Sequence, residues 1–270
     1  KPNGGFKNLA ISGALLWQVT PDFSLTLSHD YGYNEPLAYF GSPLVNGRVP
    51  REFRKTNFNV SDNMISFSDN ITQLKAEWQV TPDITLRNTA YHVSSDRHWR
   101  DTETYTYQPL TGLLRRSDYL QIYHTQEQIG NRLDATWKGE ILGMKNTFLA
   151  GFDVNHIDFK NTSNSPYGAT SLVNPYAFVP GMFTYNPATI PSFRSSTDQA
   201  SVFAENRLEV TNQFTIVGGV RYEAPRIQRE DLRNPANNFS TDFHATTYRI
   251  GTVYNPLPET ALFVQYATGV

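Results

Sequence analysis

The sequence predicts an all-β chain: an antiparallel transmembrane β-barrel portion of about ten strands, with short periplasmic turns and long extracellular loops. Three observations predict it. Apolar and polar residues alternate with a period of two through most segments, so each strand has one apolar and one polar face. A hairpin unit recurs, Trp17-Gln-Val-Thr-Pro-Asp22 returning as Trp78-Gln-Val-Thr-Pro-Asp83, with looser versions at 208–216 and 254–262. The connections alternate between short and long.

In chain order, 8–19 places Leu9, Ile11, Gly13, Leu15, Trp17 and Val19 on one face. After the tight turn at Thr20-Pro21-Asp22, strand 23–33 sets Phe23, Leu25, Leu27, His29 and Tyr31 against Ser24, Thr26, Ser28 and Asp30. Residues 34–69 lose periodicity and are rich in Asn, Gly, Pro, Ser and Asp, which predicts a long loop. Strand 70–80 follows, with Thr72, Leu74, Ala76, Trp78 and Val80 opposite Lys75, Glu77 and Gln79. A strand from Ile84 to about Arg100 and a polar loop over 102–118 come next.

Strand 119–138 sets Ile129, Leu133, Ala135 and Trp137 against Gln128, Arg132 and Asp134. A connection near 139–145 leads to strand 146–159, and Pro166, Pro175, Pro180, Pro187 and Pro191 mark 160–196 as the longest loop. Strands 197–210 and 214–223, a loop at 227–241 and a hairpin of 242–254 with 260–270 complete the ten. No helical stripe is present, and Gly, Thr, Asn and Pro are spread throughout.

Composition agrees. Hydrophobic residues make up only 39% while aromatics reach 13%, as expected of sheets with a wet second face. No apolar run reaches about 18 residues, so no transmembrane helix is predicted, which leaves barrel strands open. A formal charge of -2 gives no reason to expect nucleic acid, and the absence of cysteine rules out disulfides and thiolate metal sites. Lys1-Pro-Asn-Gly4 is not a signal peptide.

Trp17, Trp78, Trp137 and Tyr254 each stand just before a short turn on the apolar face, the common depth that a membrane–water interface selects. Trp99 lies at the opposite end. Lys75, Glu77, Arg132, Asp134, Asp153, Glu205, Arg207, Arg221, Glu223 and Arg249 share the polar face at mid-strand depth. Arg or Lys facing hydrocarbon there would cost about 2–4 kcal/mol, so that face reads as a wet lumen laced with salt bridges.

Two later segments carry a family resemblance. Residues 201–223 end in Gly219-Val-Arg-Tyr-Glu223, similar to the Gly-x-Arg-Tyr-Asp strand end of TonB-dependent siderophore receptors of the ferripyoverdine and ferrichrome type. Residues 253–269 resemble the same family's Tyr-x-Pro … Leu-Tyr-x-x-Tyr-x-x-Gly hairpin, and the earlier hairpins match in order and spacing. Glu223 stands where Asp is usual, and Asn212 replaces an acidic turn residue. The resemblance implies a barrel of about 22 strands around a plug. Residues 1–270 then read as a partial barrel domain, with the plug and remaining strands absent. The implied partners are a ferric siderophore carrying its own Fe(III), the TonB–ExbB–ExbD complex, and outer-membrane lipid with lipopolysaccharide. The implied location is the bacterial outer membrane.

No enzyme constellation stands out, and the six histidines lack metal-ligand spacing, so no cofactor held by protein ligands is expected. Basic and aromatic residues cluster at the outer strand ends: Arg97, Trp99, Arg100, Tyr105 and Tyr107, followed by Arg115 and Arg116. This mixture suits an anionic, aromatic iron chelate, or on the plainer reading contact with lipopolysaccharide phosphates or ordinary loop solvation. Tyr31, Tyr33, Tyr39, Phe40, Tyr176, Phe178, Phe183 and Tyr185 line a vestibule or an outer girdle. A self-contained outer-membrane barrel, an omptin-like protease or a passive porin, is the alternative. The protease would need Asp/His pairs at the rim, where Asp96/His98 is the one such spacing.

Overall fold

A computed structural model describes residues 5–269; the opening Lys1-Pro-Asn-Gly4 and the final residue of the last expected strand lie outside the described residues. Twelve strands form one antiparallel sheet: β1 (Lys7–Thr20), β2 (Phe23–Glu35), β3 (Met64–Thr81), β4 (Ile84–Gln108), β5 (Leu113–Ile141), β6 (Met144–Ser163), β7 (Ser171–Val173), β8 (Ile190–Glu209), β9 (Phe214–Asp231), β10 (Phe239–Asp242), β11 (Ala245–Leu257) and β12 (Thr260–Ala267). The ten long ones pair in chain order, as expected, while short β7 joins β5 and short β10 joins β9. Among the described residues, β1 and β12 are each paired on one side only, so the sheet is an open wall.

Strand ends differ most from the expectation. Residues 102–118 are not a loop: β4 and β5 run on to a tight turn at 109–112, with Thr102 opposite Tyr119 and Tyr107 opposite Leu114. The Thr and Tyr run of 102–107 favours strand once a partner supplies its hydrogen bonds. β3 likewise begins at Met64, β6 reaches Ser163, β8 starts at Ile190 and β9 extends to Asp231. Ser, Asn, Asp and Pro in these extensions mask the signal in the sequence. Neighbouring strands override them, with Pro191 tolerated at a register shift between β6 and β8. β5 has 29 residues, far beyond the roughly 9–11 that cross a bilayer, so its upper half stands clear of the membrane.

The register sorts the faces as the alternation predicts. One row runs Trp78, Leu86, Ala135, Ala150, Ala204, Val220 and Tyr248; a parallel row runs Leu25, Ala76, Asn88, Leu133, Phe152, Val202 and Tyr222. This apolar face extends from Ile84 to His92 along β4, about 21 Å at a barrel tilt near 40°. The figure is close to the height of an outer-membrane apolar band. Trp17, Trp78 and Trp137 all lie on this face near the short turns. The Trp137 ring covers Gly139, where any Cβ would collide with it. On the opposite face, Glu77 pairs with Lys75 at 3.2 Å and Arg87 at 2.9 Å, and Arg132 approaches Asp134 at 3.5 Å. Arg221–Glu223, Arg249–Glu205 and Arg207–Glu209 continue this ladder around the wall.

Because the wall's apolar face is turned to lipid, the buried core lies elsewhere. Its hydrophobic members, among them Phe53, Phe58, Val60, Leu114, Tyr119 and Phe183, all sit at the extracellular end. Loop 36–63, with a 3-10 turn at Arg51–Lys55, and loop 164–189 fold against the tip of the β4–β5 hairpin. Phe58 meets Phe178 edge-on at 5.1 Å, and Tyr119 meets Phe183 at 5.5 Å. Gly181 O accepts from Ser61 N at 2.8 Å, and Asp62 Oδ1 accepts from Phe183 N at 2.8 Å, joining the loops. The expected vestibule aromatics Tyr176, Phe178, Phe183 and Tyr185 therefore belong to a packed cap.

Candidate ligand-binding site

Beneath the cap, the polar face of the wall carries a continuous aromatic strip, one ring per strand. Phe67 on β3 stands 5.5 Å from Trp99 on β4, and Trp99 stands 5.0 Å from His124 on β5. His124 is 5.0 Å from Phe159 on β6, and Phe159 is 5.8 Å from Phe193 on β8. The pleat explains the shared orientation. Each ring has the same parity as the ladder residues of its own strand, so all project into the lumen. Rings at these separations are in ordinary offset or edge contact, which holds the strip rigid.

An arginine closes each end. The Arg97 guanidinium lies 5.2 Å from the Phe67 centroid and pairs with Asp69 at 2.7 Å. Arg229, on β9, lies 4.0 Å from the Phe193 centroid. Among the described residues Arg229 has no acidic side chain at ion-pair distance, and its buried Nε has no hydrogen-bond partner. Between them, burial and then the charge of Arg97 hold His124 below the ordinary histidine range, so the ring is neutral at pH 7. Asn161 Nδ2 stands 2.7 Å from His124 Nε2. Above the Arg229 end opens a polar cavity of about 360 Å³ lined by Asn161, Ser192, Phe193, Arg229, Asp231 and Arg233. Such a surface can stack planar groups and attract negative charge. Among the described residues no three His, Asp or Glu groups are arranged to hold a metal ion.

The structure divides the residues picked out from the sequence. Arg97 and Trp99 belong to the strip. Arg100 faces the other way, donating to Asp62 O at 2.9 Å and Tyr185 Oη at 3.1 Å, which ties the two loops together. Tyr105 packs against Phe58 and donates to Thr102 O at 2.7 Å. Arg116 is buried, donating to Ser171 Oγ at 2.9 Å and Phe58 O at 3.3 Å. Arg115 is exposed on the hairpin opposite Leu172, and Tyr107 lies opposite Leu114 near the hairpin tip. Five of the seven thus belong to the cap or its hairpin. Phe67, His124, Phe159, Phe193 and Arg229 were missed because four of them fall in or beside segments that read as loops. The signal available was parity: extending each ladder register upward by two residues at a time reaches all five.

Comparison with known proteins agrees with this architecture. Residues 16–270 match the family described as TonB dependent receptor-like, beta-barrel. The fold superposes on the siderophore receptor PiuA from Acinetobacter baumannii with a TM-score of 0.80 at 17% identity, covering 97% of this chain and 42% of that one. For BauA, the ferric preacinetobactin receptor of the same organism, the values are 0.79, 12%, 96% and 39%. For the ferripyoverdine receptor of the Pseudomonas aeruginosa outer membrane they are 0.76, 14%, 97% and 35%. The chain spans less than half the length of these structures, and at such identities the likeness establishes the fold.

Proposed function

We propose, from the premise that this chain belongs to the TonB-dependent receptor β-barrel family of the outer membrane, that it is wall and mouth of a receptor taking up ferric siderophores. In this reading the ligand enters from outside, passes the cap and lodges on the strip from Arg97 and Trp99 to Arg229. Fe(III) is cargo, held by the siderophore's own donor atoms. Rearrangement of a plug, driven through TonB–ExbB–ExbD, then opens the way to the periplasm. Residues 1–270 would supply ten long strands of a wall of about 22, the rest and the plug lying elsewhere in the protein. Arg100, Tyr105, Tyr107, Arg115 and Arg116 are assigned to shaping the cap, whose outer rim meets lipopolysaccharide.

The observation that carries the reading is the aromatic strip with an arginine at each end, on the lumen face under the cap. Aryl stacking and cation–π contact with guanidinium groups are what an iron chelate with aromatic or anionic groups needs. A porin or protease barrel is not favoured, since residues 16–270 match the TonB dependent receptor-like β-barrel family. Deleting the full-length gene and measuring uptake of iron-59 bound to a panel of siderophores tests it. Loss of uptake for one chelate class is expected; unchanged uptake of every one refutes it.

A further inference from the structure

Two arginines of the β9 end differ in what their side chains do. Arg233 is committed to the fold: it donates to Pro191 O at 3.3 Å, Ser165 O at 3.1 Å, Ile190 O at 3.0 Å and Ser163 O. Arg229 is not. Its guanidinium lies over the Phe193 ring at 4.0 Å, and its Nε is buried without a partner. The nearest carboxylate on the same face of the strand, Asp231, feels the Arg229 charge without reaching ion-pair distance, and is already engaged by Arg233 N and Asn234 N, both at 2.9 Å, and by Asn237 Nδ2 at 3.0 Å. Among the described residues no hydrogen bond engages the rest of the Arg229 guanidinium either, and a cation seated over a ring leaves its terminal N–H groups for an anion.

We propose that Arg229, laid on Phe193, is the anion seat of this mouth. With Phe159 next to Phe193 and Trp99 farther along the same strip, it selects iron chelates whose donor atoms are aryl oxygens, catecholate or phenolate, over chelates built from hydroxamates. The inference rests on the receptor reading above and names its substrate class. A ferric tris-catecholate keeps net negative charge and turns flat aryl faces outward, so it satisfies the free N–H edge and the rings together. A ferric tris-hydroxamate is neutral and offers neither. Arg97 cannot substitute as the seat, because Asp69 neutralises it at 2.7 Å.

The test uses the full-length receptor in detergent, its barrel checked by heat-modifiable gel mobility. Ferric tris(2,3-dihydroxybenzoate) and ferric tris(acetohydroxamate) are titrated separately, with tryptophan quenching as readout. The wild type is expected to bind the catecholate complex at least tenfold more tightly. Arg229→Gln should weaken that complex by roughly tenfold or more and collapse the ratio between the two. Arg229→Lys, which keeps charge without a planar stack, and Phe193→Leu, which keeps bulk without a ring, should each fall between; they carry the test if the Gln variant fails to fold. Equal affinity for both complexes, or unchanged catecholate binding in the variants, overturns the proposal. Binding of the hydroxamate alone overturns the substrate class and leaves the receptor reading standing. Binding of no ferric chelate of any kind overturns both.

Discussion

Asp101 is the place where the cap's stability can be set by pH. It is fully buried on β4 beside the loop clusters, and neither carboxyl oxygen has a hydrogen-bond partner among the described residues. Burial first, and then the charge of Glu103, push its carboxyl from 3.8 up to about 7. The neutral form is therefore the one the folded cap tolerates. Stability from this group is fully present below the unfolded value of 3.8 and is lost as pH rises through about 7. At 1.36 kcal/mol per pH unit the whole effect is about 4 kcal/mol, an upper figure because water entry relieves part of it. Glu103, raised by burial and by Asp118, acts in the same direction. Asp101→Asn removes the charge at every pH while keeping the shape. The assay is hydrogen exchange of amides in 36–63 and 164–189, corrected for intrinsic rates, from pH 5 to pH 8 in the full-length receptor. The wild type should lose protection from pH 5 to about pH 7 and level off above it, while the Asn variant stays nearly flat and better protected at pH 8. Equal slopes in both proteins would refute the assignment of the buried charge.

Two further outcomes test the wall. Val202→Arg places a guanidinium on the lipid face near mid-depth and should cost about 2–4 kcal/mol in urea-titrated folding into lipid vesicles, while lumen-facing Gln199→Arg should cost under about 1 kcal/mol; equal or reversed costs would refute the assignment of the faces. Gly139→Ala puts a methyl where the Trp137 ring lies, and should shift tryptophan emission and cost about 1–3 kcal/mol; an unchanged spectrum would mean the ring does not cover that position.

Sequence reading recovered the hairpins and not their length. The Thr-Pro-Asp turns and the Trp-bearing strand ends were legible because turn chemistry and alternation are local. Met64–Asp69 and Ile190–Ser196 read as loop because their Ser, Asp and Pro residues have weak strand preference, and Thr102–Gln108 because its faces are polar on both sides apart from two tyrosines. They are strands because a neighbour already stands beside them to accept and donate hydrogen bonds. The candidate site suffered from the same cause. Clustering along the chain grouped Arg97 and Trp99, which the structure sets in the strip, with Arg116, which it buries in the cap, since proximity in sequence does not say which basic group a loop will bury.

Alternation, the repeated hairpin and the depth of the tryptophans therefore decided the fold class, the face turned to lipid and the face turned to water. Each depends on residues two apart or on a single turn, which the backbone geometry of a strand converts directly into orientation. The cap and the aromatic strip were decided only by the tertiary structure. Phe67, Trp99, His124, Phe159, Phe193 and Arg229 come from six strands separated by long stretches of chain, and pairing register alone brings them into one row. Register is a sum of hydrogen bonds and contacts over whole strands, so no local pattern around any one of these residues encodes it.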